Sequence, residues 1–329
     1  MKKIIISSGL TLIISSILCA QTTINTGKPI AEIFTDFHYN FNDTSKTTGF
    51  GLNRAYFGYN FIPGDNFSAK IIFNAGSPDD LVEGSEPRRY AFFREASLSY
   101  SKDKLTLTMG ITGTQMYEFQ QRFWGKRYLA NTYQSLNCYG FVADLGLMTE
   151  YRFSSVIKSI FSVMNGEGYS NIQLDNNIKA STGIEITPTS QLAFRVFGDI
   201  TKVENIWQST LIGFAGFKYN IITFGAEFSH KTNLDSIGGH HAWGISTTGS
   251  LRFSETGEFF VRYDHSASII PNGRKLQWNY PNDGDFLIAG IQYTLSSNVK
   301  IAINYQGTYP YFPDRQPTDA IFLNAHFKF

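Results

Sequence analysis

The chain has 329 residues, of which 28 are Lys or Arg and 27 are Asp or Glu, for a formal charge of +1. That balance excludes a nucleic-acid binder working through a basic surface. The only cysteines are Cys19 and Cys138, and the first lies in a leader, so no internal disulfide is expected to brace the mature protein.

Met1, Lys2 and Lys3 open the sequence, an apolar run follows from Ile4 to Leu18, and Cys19, Ala20 and Gln21 come next. A basic start, an apolar stretch and a small residue form the pattern of a secretory signal. Cleavage is expected after Ala20, making 1–20 the signal peptide and 21–329 the mature domain. A lipoprotein processed at Cys19 is the weaker reading, because bulky Leu18 stands where a small residue belongs. The apolar run is shorter than the about 20 residues a spanning helix needs, and no other stretch reaches that length.

From Ile30 onward apolar residues recur at every second position, the period of a strand with one greasy face. In the first segment Ala31, Ile33, Thr35, Phe37, Tyr39 and Phe41 oppose Glu32, Phe34, Asp36, His38 and Asn40. In the next, Ala55, Phe57, Tyr59 and Phe61 oppose Arg54, Tyr56, Gly58 and Asn60. A turn at Pro63 to Asn66 leads to Phe67, Ala69, Ile71 and Phe73 against Ser68, Lys70, Ile72 and Asn74. A polar connection runs from Ser77 to Arg88. Ala96, Leu98 and Tyr100 then oppose Glu95, Ser97 and Ser99, and a turn at Ser101 to Lys104 returns the chain through Leu105, Leu107, Met109 and Ile111.

The connection from Thr114 to Asn137 is the longest, and long loops in compact domains tend to be functional. It holds Glu118, Arg122, Phe123, Trp124, Lys126, Arg127 and Tyr128. Folded inward it would narrow a pore, with Arg122, Lys126 and Arg127 attracting anions and Glu118 as countercharge; a solvated external loop is the alternative. The clearest strand is expected from Tyr139 to Phe153, with aromatics at both ends of its apolar face as membrane girdles require. Two later segments, Ile157 to Val163 and Ile212 to Lys218, are apolar on both faces, which implies packing inside the lumen.

Further turns are expected at Ser154-Ser155, Thr187 to Ser190, Tyr219-Asn220, Glu255 to Gly257 and Ser296 to Asn298. Longer connections fall at Asp43 to Thr48, Asn165 to Asn177, Thr201 to Trp207, Thr232 to Gly239, Ala267 to Asp285 and Thr308 to Pro317. The last segment alternates Ile321, Leu323, Ala325, Phe327 and Phe329 with Phe322, Asn324, His326 and Lys328.

Charges fall on one face of these strands: Glu32, Asp36, Arg54, Lys70, Glu95, Asp144, Glu150, Glu185, Arg195, Asp199, Lys218, Glu227, Arg262 and Lys300. A secreted β-sandwich also alternates, but long strands and mid-strand charges confined to one face suit a membrane wall enclosing water. A charge on the lipid side near mid-depth costs about 2–4 kcal/mol. The expected fold is an all-β transmembrane antiparallel β-barrel of about 16 strands, with short periplasmic turns and longer extracellular loops. The inward charges either brace the wall as salt bridges or line a wet lumen.

Other candidate chemistry is thin. Glu167, between glycines at Asn165 to Tyr169, could bind Ca²⁺ with Asp175, but a tight turn explains it better. His240 and His241 point to opposite faces of a strand and would not share a metal. His230 and His265 could serve a barrel lipase, yet no Gly-x-Ser-x-Gly elbow, P-loop, dinucleotide fingerprint or zinc-protease motif is present. No catalytic residue, metal or cofactor is expected.

Several segments carry a resemblance. Asn53-Arg54-Ala55-Tyr56-Phe57-Gly58-Tyr59, the run from Lys104 to Thr112, Phe123-Trp124-Gly125-Lys126-Arg127-Tyr128, Ala143-Asp144-Leu145-Gly146 and Asn165-Gly166-Glu167-Gly168-Tyr169 resemble segments of Bacteroidetes porins related to the phosphate-selective porins O and P. The similarity runs from about Ile30 to Phe329. It implies a 16-stranded, usually trimeric channel in a Gram-negative outer membrane, and a terminal strand ending at Phe329 that the barrel-assembly machinery reads. Basic clusters of the phosphate-selective members are not evident, and the inward charges are mixed in sign.

The expected function is passive diffusion of small hydrophilic solutes or ions, anions such as phosphate among them, through a lipid-embedded barrel. Small outward residues (Gly213, Ala215, Gly249) suggest a protomer contact. A non-channel adhesin or structural barrel is the alternative, and a membrane-embedded hydrolase a third.

Overall fold

A computed structural model describes residues 27–42, 48–64, 66–75, 90–173 and 175–329. The segment expected to be a signal peptide and most of the connections expected at Asp43 to Thr48 and Ser77 to Arg88 lie outside them. Sixteen strands follow one another: β1 (Gly27–Asn40), β2 (Gly49–Gly64), β3 (Phe67–Ala75), β4 (Ala91–Lys102), β5 (Leu105–Gly113), β6 (Ala143–Arg152), β7 (Ile157–Met164) and β8 (Lys179–Ile186) make one half. The other half is β9 (Leu192–Val203), β10 (Ile206–Tyr219), β11 (Ile222–Thr232), β12 (His241–Arg252), β13 (Gly257–Ile269), β14 (Gly284–Ser296), β15 (Val299–Pro310) and β16 (Thr318–Lys328).

Each strand pairs antiparallel with its chain neighbours, and β1 pairs with β16 from Glu32↔Lys328 to Asn40↔Ala320, closing the barrel. Closure leaves no edge carrying unpaired backbone groups, which is the condition for strands in hydrocarbon. Faces follow the sequence period. On β13, Phe260, Arg262 and Asp264 are buried inside while Phe259, Val261 and Tyr263 are exposed outside.

Short turns gather at one rim. The turn 220–221 is two residues with Asn220 at φ 50, a conformation asparagine tolerates. The opposite rim carries the long connections, with one correction. Thr201 to Trp207 is not a loop: β9 and β10 run through it and reverse at Glu204-Asn205. The polar run imitates a loop because these strands continue past the apolar zone to the rim, where polar side chains are tolerated.

A second correction concerns β6, which starts at Ala143 rather than Tyr139. Cys138 takes φ 52, and the Tyr139 amide donates to the Gln134 carbonyl at 2.9 Å. Tyr139 is therefore fully buried inside instead of standing in an outer girdle. Its alternation with Phe141 is that of a chain climbing out of the lumen.

The two segments apolar on both faces do pack inward. Ile160 meets Met148 and Met164, and Phe214 lies 5.6 Å and 5.1 Å, ring to ring, from Phe119 and Phe123 of the long connection. The outer face holds polar groups near its loop rim: Asp285 accepts from Tyr263 at 2.7 Å and lies 2.9 Å from His265 Nδ1.

Candidate functional site

The connection 114–142 enters the barrel. Its two ends are tied together, the Thr114 hydroxyl to the Phe141 carbonyl at 2.7 Å and the Thr114 amide to the Val142 carbonyl at 3.1 Å. It therefore leaves and rejoins the wall at one place and projects as a closed loop. Its first part is helix α1 (Gln115–Trp124), and a short helix α2 (Tyr133–Leu136) follows. Glu118 in the first turn and Arg122 in the last complement the helix dipole and pair with each other at 3.2 Å. Gly125 at φ 69 ends the helix, donating to the Gln121 carbonyl. The face carrying Met116, Tyr117, Phe119, Gln120 and Trp124 is buried.

The wall grips this loop with its charges. Arg195 on β9 donates to Gln120 Oε1 at 2.9 Å and to the carbonyl of Gln115, with Glu185 at 3.9 Å. Arg262 on β13 is fixed by Asp264 at 2.9 and 2.5 Å, donates to the Asn131 carbonyl at 2.5 Å and lies 4.8 Å from the Trp124 ring centre. Gln134 donates to Glu227 at 2.7 Å and to Ser229 at 3.0 Å on β11. Tyr128 donates to Gln292 on β14 at 2.8 Å, and Gln306 on β15 donates to the Leu129 carbonyl at 3.2 Å. The loop starts between β5 and β6 and is held at β13 to β15, so it crosses the lumen.

The four loop charges proposed from sequence separate. Glu118 and Arg122 stay together, with Arg122 3.9 Å from Glu185. Arg127 donates to the Tyr56 hydroxyl at 2.8 Å. Lys126 departs from its expected place among solute-facing groups: it is buried, and its ammonium lies 2.8 Å from Glu258 at the turn end of β13. Burial pulls its pKa down, and Glu258 opposes that pull.

Other wall charges brace one another. Lys70 meets Glu95 at 3.1 Å, Lys158 meets Glu185 at 2.9 Å and Glu150 at 3.6 Å, and Glu32 meets His326 at 2.9 Å and Lys328 at 3.7 Å. Asp144 does something different: it accepts from the amides of Leu145 and Gly166 at 2.8 and 2.6 Å. That fixes the turn containing Glu167, and no cluster of metal-ligating side chains occurs among the described residues. Lys218 lies 4.4 Å from the Phe123 ring centre, Asp199 is buried, and Lys300 is on the inward face of β15. Asp36 is buried beside His38 and Asn53, at 2.7 and 2.6 Å.

Beside the loop, against β1, β2 and β14 to β16, a cavity of about 590 Å³ remains. Asp36, His38, Asn53, Arg54 and Arg127 are among its charged and polar lining, and Phe34, Phe286 and Phe322 among its apolar lining. A second cavity of about 190 Å³ shares Leu136, Phe286 and Thr308 with the first and reaches Asp283 near the loop rim. There a third helix, α3 (Asn279–Asn282), packs inward, and Trp278 donates to the Asn137 carbonyl at 2.9 Å. Burial pushes the Asp283 carboxyl up to about 6, against the Ser268 hydrogen bond that holds it down.

Asn53 and Arg94 were invisible to the period-two reading. Register shifts at Phe34/Thr35 and Ile72/Phe73 mark bulges that place an extra residue on β2 and on β4. Asn53 thereby joins Arg54 in the cavity lining, and Arg94 reaches the Val142 carbonyl at 3.1 Å. Glu258, and Lys231 on β11, whose buried ammonium donates to the Tyr139 carbonyl, sat on inward positions, and extending the same parity to the strand ends would have found them.

Neither a protein-family model nor a curated protein matches the sequence. Solved structures match by fold. An anion-selective porin from Comamonas acidovorans aligns over 92% of this chain and 99% of its own, at 11% identity and a TM-score of 0.66. Salmonella typhi OmpF, in a complex with daunomycin, aligns over 92% and 97% at 11% identity and 0.65. OmpT, an outer membrane protein of Vibrio cholerae, aligns over 94% and 99% at 11% identity and 0.64. The chain therefore has the porin-like fold of outer-membrane barrels.

Proposed function

We propose that this chain is a channel of a Gram-negative outer membrane, passing small hydrophilic solutes or ions by diffusion. The observation that carries the reading is the loop 114–142, clamped across a closed 16-strand barrel with a cavity of about 590 Å³, part polar and part apolar, left at its side. Barrels of this size enclose an aqueous channel when nothing fills them. An inward loop sorts solutes by size, and the charges at its margins sort them by sign. Arg122, paired but exposed, and Arg127 are the cationic groups proposed for that role; Lys126 is buried against Glu258 and contributes less.

Planar-bilayer recording tests the reading. Discrete conductance steps from folded protein are the expected result, and silence would turn the assignment to an adhesin or structural barrel. In a salt gradient, Arg122→Gln with Arg127→Gln should move the reversal potential toward cation preference, and Lys126→Gln alone should move it less. An unchanged potential in the double variant would remove the loop from the constriction.

A trimer fits the outer surface. Gly213, Ala215, Ala226 and Thr247 floor an outward depression of about 740 Å³ walled by Ile184, Phe194, Val196 and Phe228. Strand β16, which closes the ring, is the segment proposed for the barrel-assembly machinery. A hydrolase finds less support: His265 binds Asp285 and Tyr311, and no serine is bonded to it among the described residues.

A further inference from the structure

We propose that the cavity beside the loop is a binding site for a small zwitterion with an apolar side chain, a short peptide, which it holds in transit. The inference rests on the channel reading for its physiological sense, while the site itself stands on the geometry of β1, β2 and the loop.

Asp36 and Arg127, of opposite sign, line one cavity, and among the described residues their hydrogen bonds go to other groups. The Asp36 carboxylate is aimed by His38 Nδ1 at 2.7 Å and Asn53 Nδ2 at 2.6 Å. Both contacts are hydrogen bonds to fixed wall residues, so the acceptor is preorganised and retains lone pairs for an ammonium. Arg127 gives one guanidinium nitrogen to Tyr56 at 2.8 Å, and its Nη2 has no hydrogen-bond partner among the described residues. A shielded guanidinium donor without an acceptor is uncommon in folded proteins, and a carboxylate is the group whose geometry fits its fork.

A second guanidinium stands along the wall at a backbone spacing comparable to a short peptide. Arg54, a second guanidinium of the lining, is opposite Phe34 in register, and Asp36 is two residues further up β1. Two strand residues rise about 6.6 Å, and two residues of extended peptide reach about 7 Å. Between the charged ends, Phe34, Phe286 and Phe322 offer an apolar wall for a side chain. An inorganic anion would meet Arg54 and Arg127 but would bring the Asp36 carboxylate no ammonium. A neutral sugar would offer neither an ammonium to Asp36 nor a carboxylate to the unpartnered Arg127 Nη2.

Isothermal titration calorimetry on the full mature chain, folded in detergent micelles, decides the matter with L-alanyl-L-phenylalanine as probe. The N-acetyl derivative, the C-terminal amide, glucose and inorganic phosphate are the comparisons. The zwitterion should bind, and each blocked form should bind about tenfold or more weakly. Asp36→Asn should abolish the penalty of N-acetylation and keep that of amidation, while Arg127→Gln should do the reverse. Equal heats from the zwitterion and its blocked forms on the unaltered protein would overturn the proposal, whatever the variants do. So would tighter binding of glucose or phosphate. Conductance recorded from the same preparation separates the two readings. Current without dipeptide binding sinks the site and leaves the channel, and binding without current does the opposite.

Discussion

Replacing Arg195 by Ala removes the clamp at the start of the inward loop. Arg195 is 2% exposed, donates to Gln120 Oε1 at 2.9 Å and to main-chain carbonyls of α1, and lies 5.7 and 5.1 Å from the Phe119 and Phe197 ring centres. Hydrogen bonds from a charged donor contribute about 1.5–3 kcal/mol each, net of water. Breaking a buried ion pair costs about 3–5 kcal/mol when the partner is stranded. Here Glu185 keeps Lys158 at 2.9 Å, so the low end applies. A loss of about 3 kcal/mol in loop docking raises the undocked population roughly 150-fold. Amide hydrogen exchange in α1 reads this directly, because local opening sets its rate. The α1 amides should exchange faster by roughly that factor, single-channel current should become noisier, and the melting midpoint of the barrel should hold. Unchanged α1 exchange combined with a lowered barrel midpoint would refute the reasoning, since Arg195 would then be propping the wall and not the loop.

Asp283 predicts a pH dependence. Its carboxyl titrates at about 6 in the fold against 3.8 in the unfolded chain. Between those values the folded state holds a proton the unfolded state has lost, so its contribution to stability falls as pH rises through about 6. Asp283→Asn should therefore raise the thermal midpoint above pH 6 more than at pH 4, and an equal offset at both would count against it. On the outer face, Val261→Arg places a charge among Phe259 and Tyr263. It should cost about 2–4 kcal/mol in folding into lipid vesicles. The same variant folding as readily as the parent chain would place that face away from hydrocarbon.

The wall was legible because its signal is local. Period-two alternation assigns Phe259, Val261 and Tyr263 to one side and Phe260, Arg262 and Asp264 to the other without any knowledge of the partners. It misleads where another backbone path shares the rhythm, as at Tyr139 and Phe141, and where polar strand ends look like loop, as at Thr201. The loop was located but not its docking. Arg262 meets Asn131 across 131 positions and Tyr128 meets Gln292 across 164, and no pattern within a window encodes such pairs. The bulges that bring Asn53 and Arg94 inward are likewise a property of two strands in register. The Thr114–Phe141 tie was equally hidden, because Thr114 resembles a helix cap and its hydroxyl goes elsewhere.

The loop's attachment at β13 to β15 has a mechanical consequence. In a ring of sixteen strands these lie opposite β5 and β6, where the loop is rooted. It acts as a spoke along one diameter, stiffening the ring against becoming oval under the sideways pressure of the bilayer. Cutting the spoke would therefore alter the outline of the ring as well as the width of its opening, and conductance in such a variant would report both.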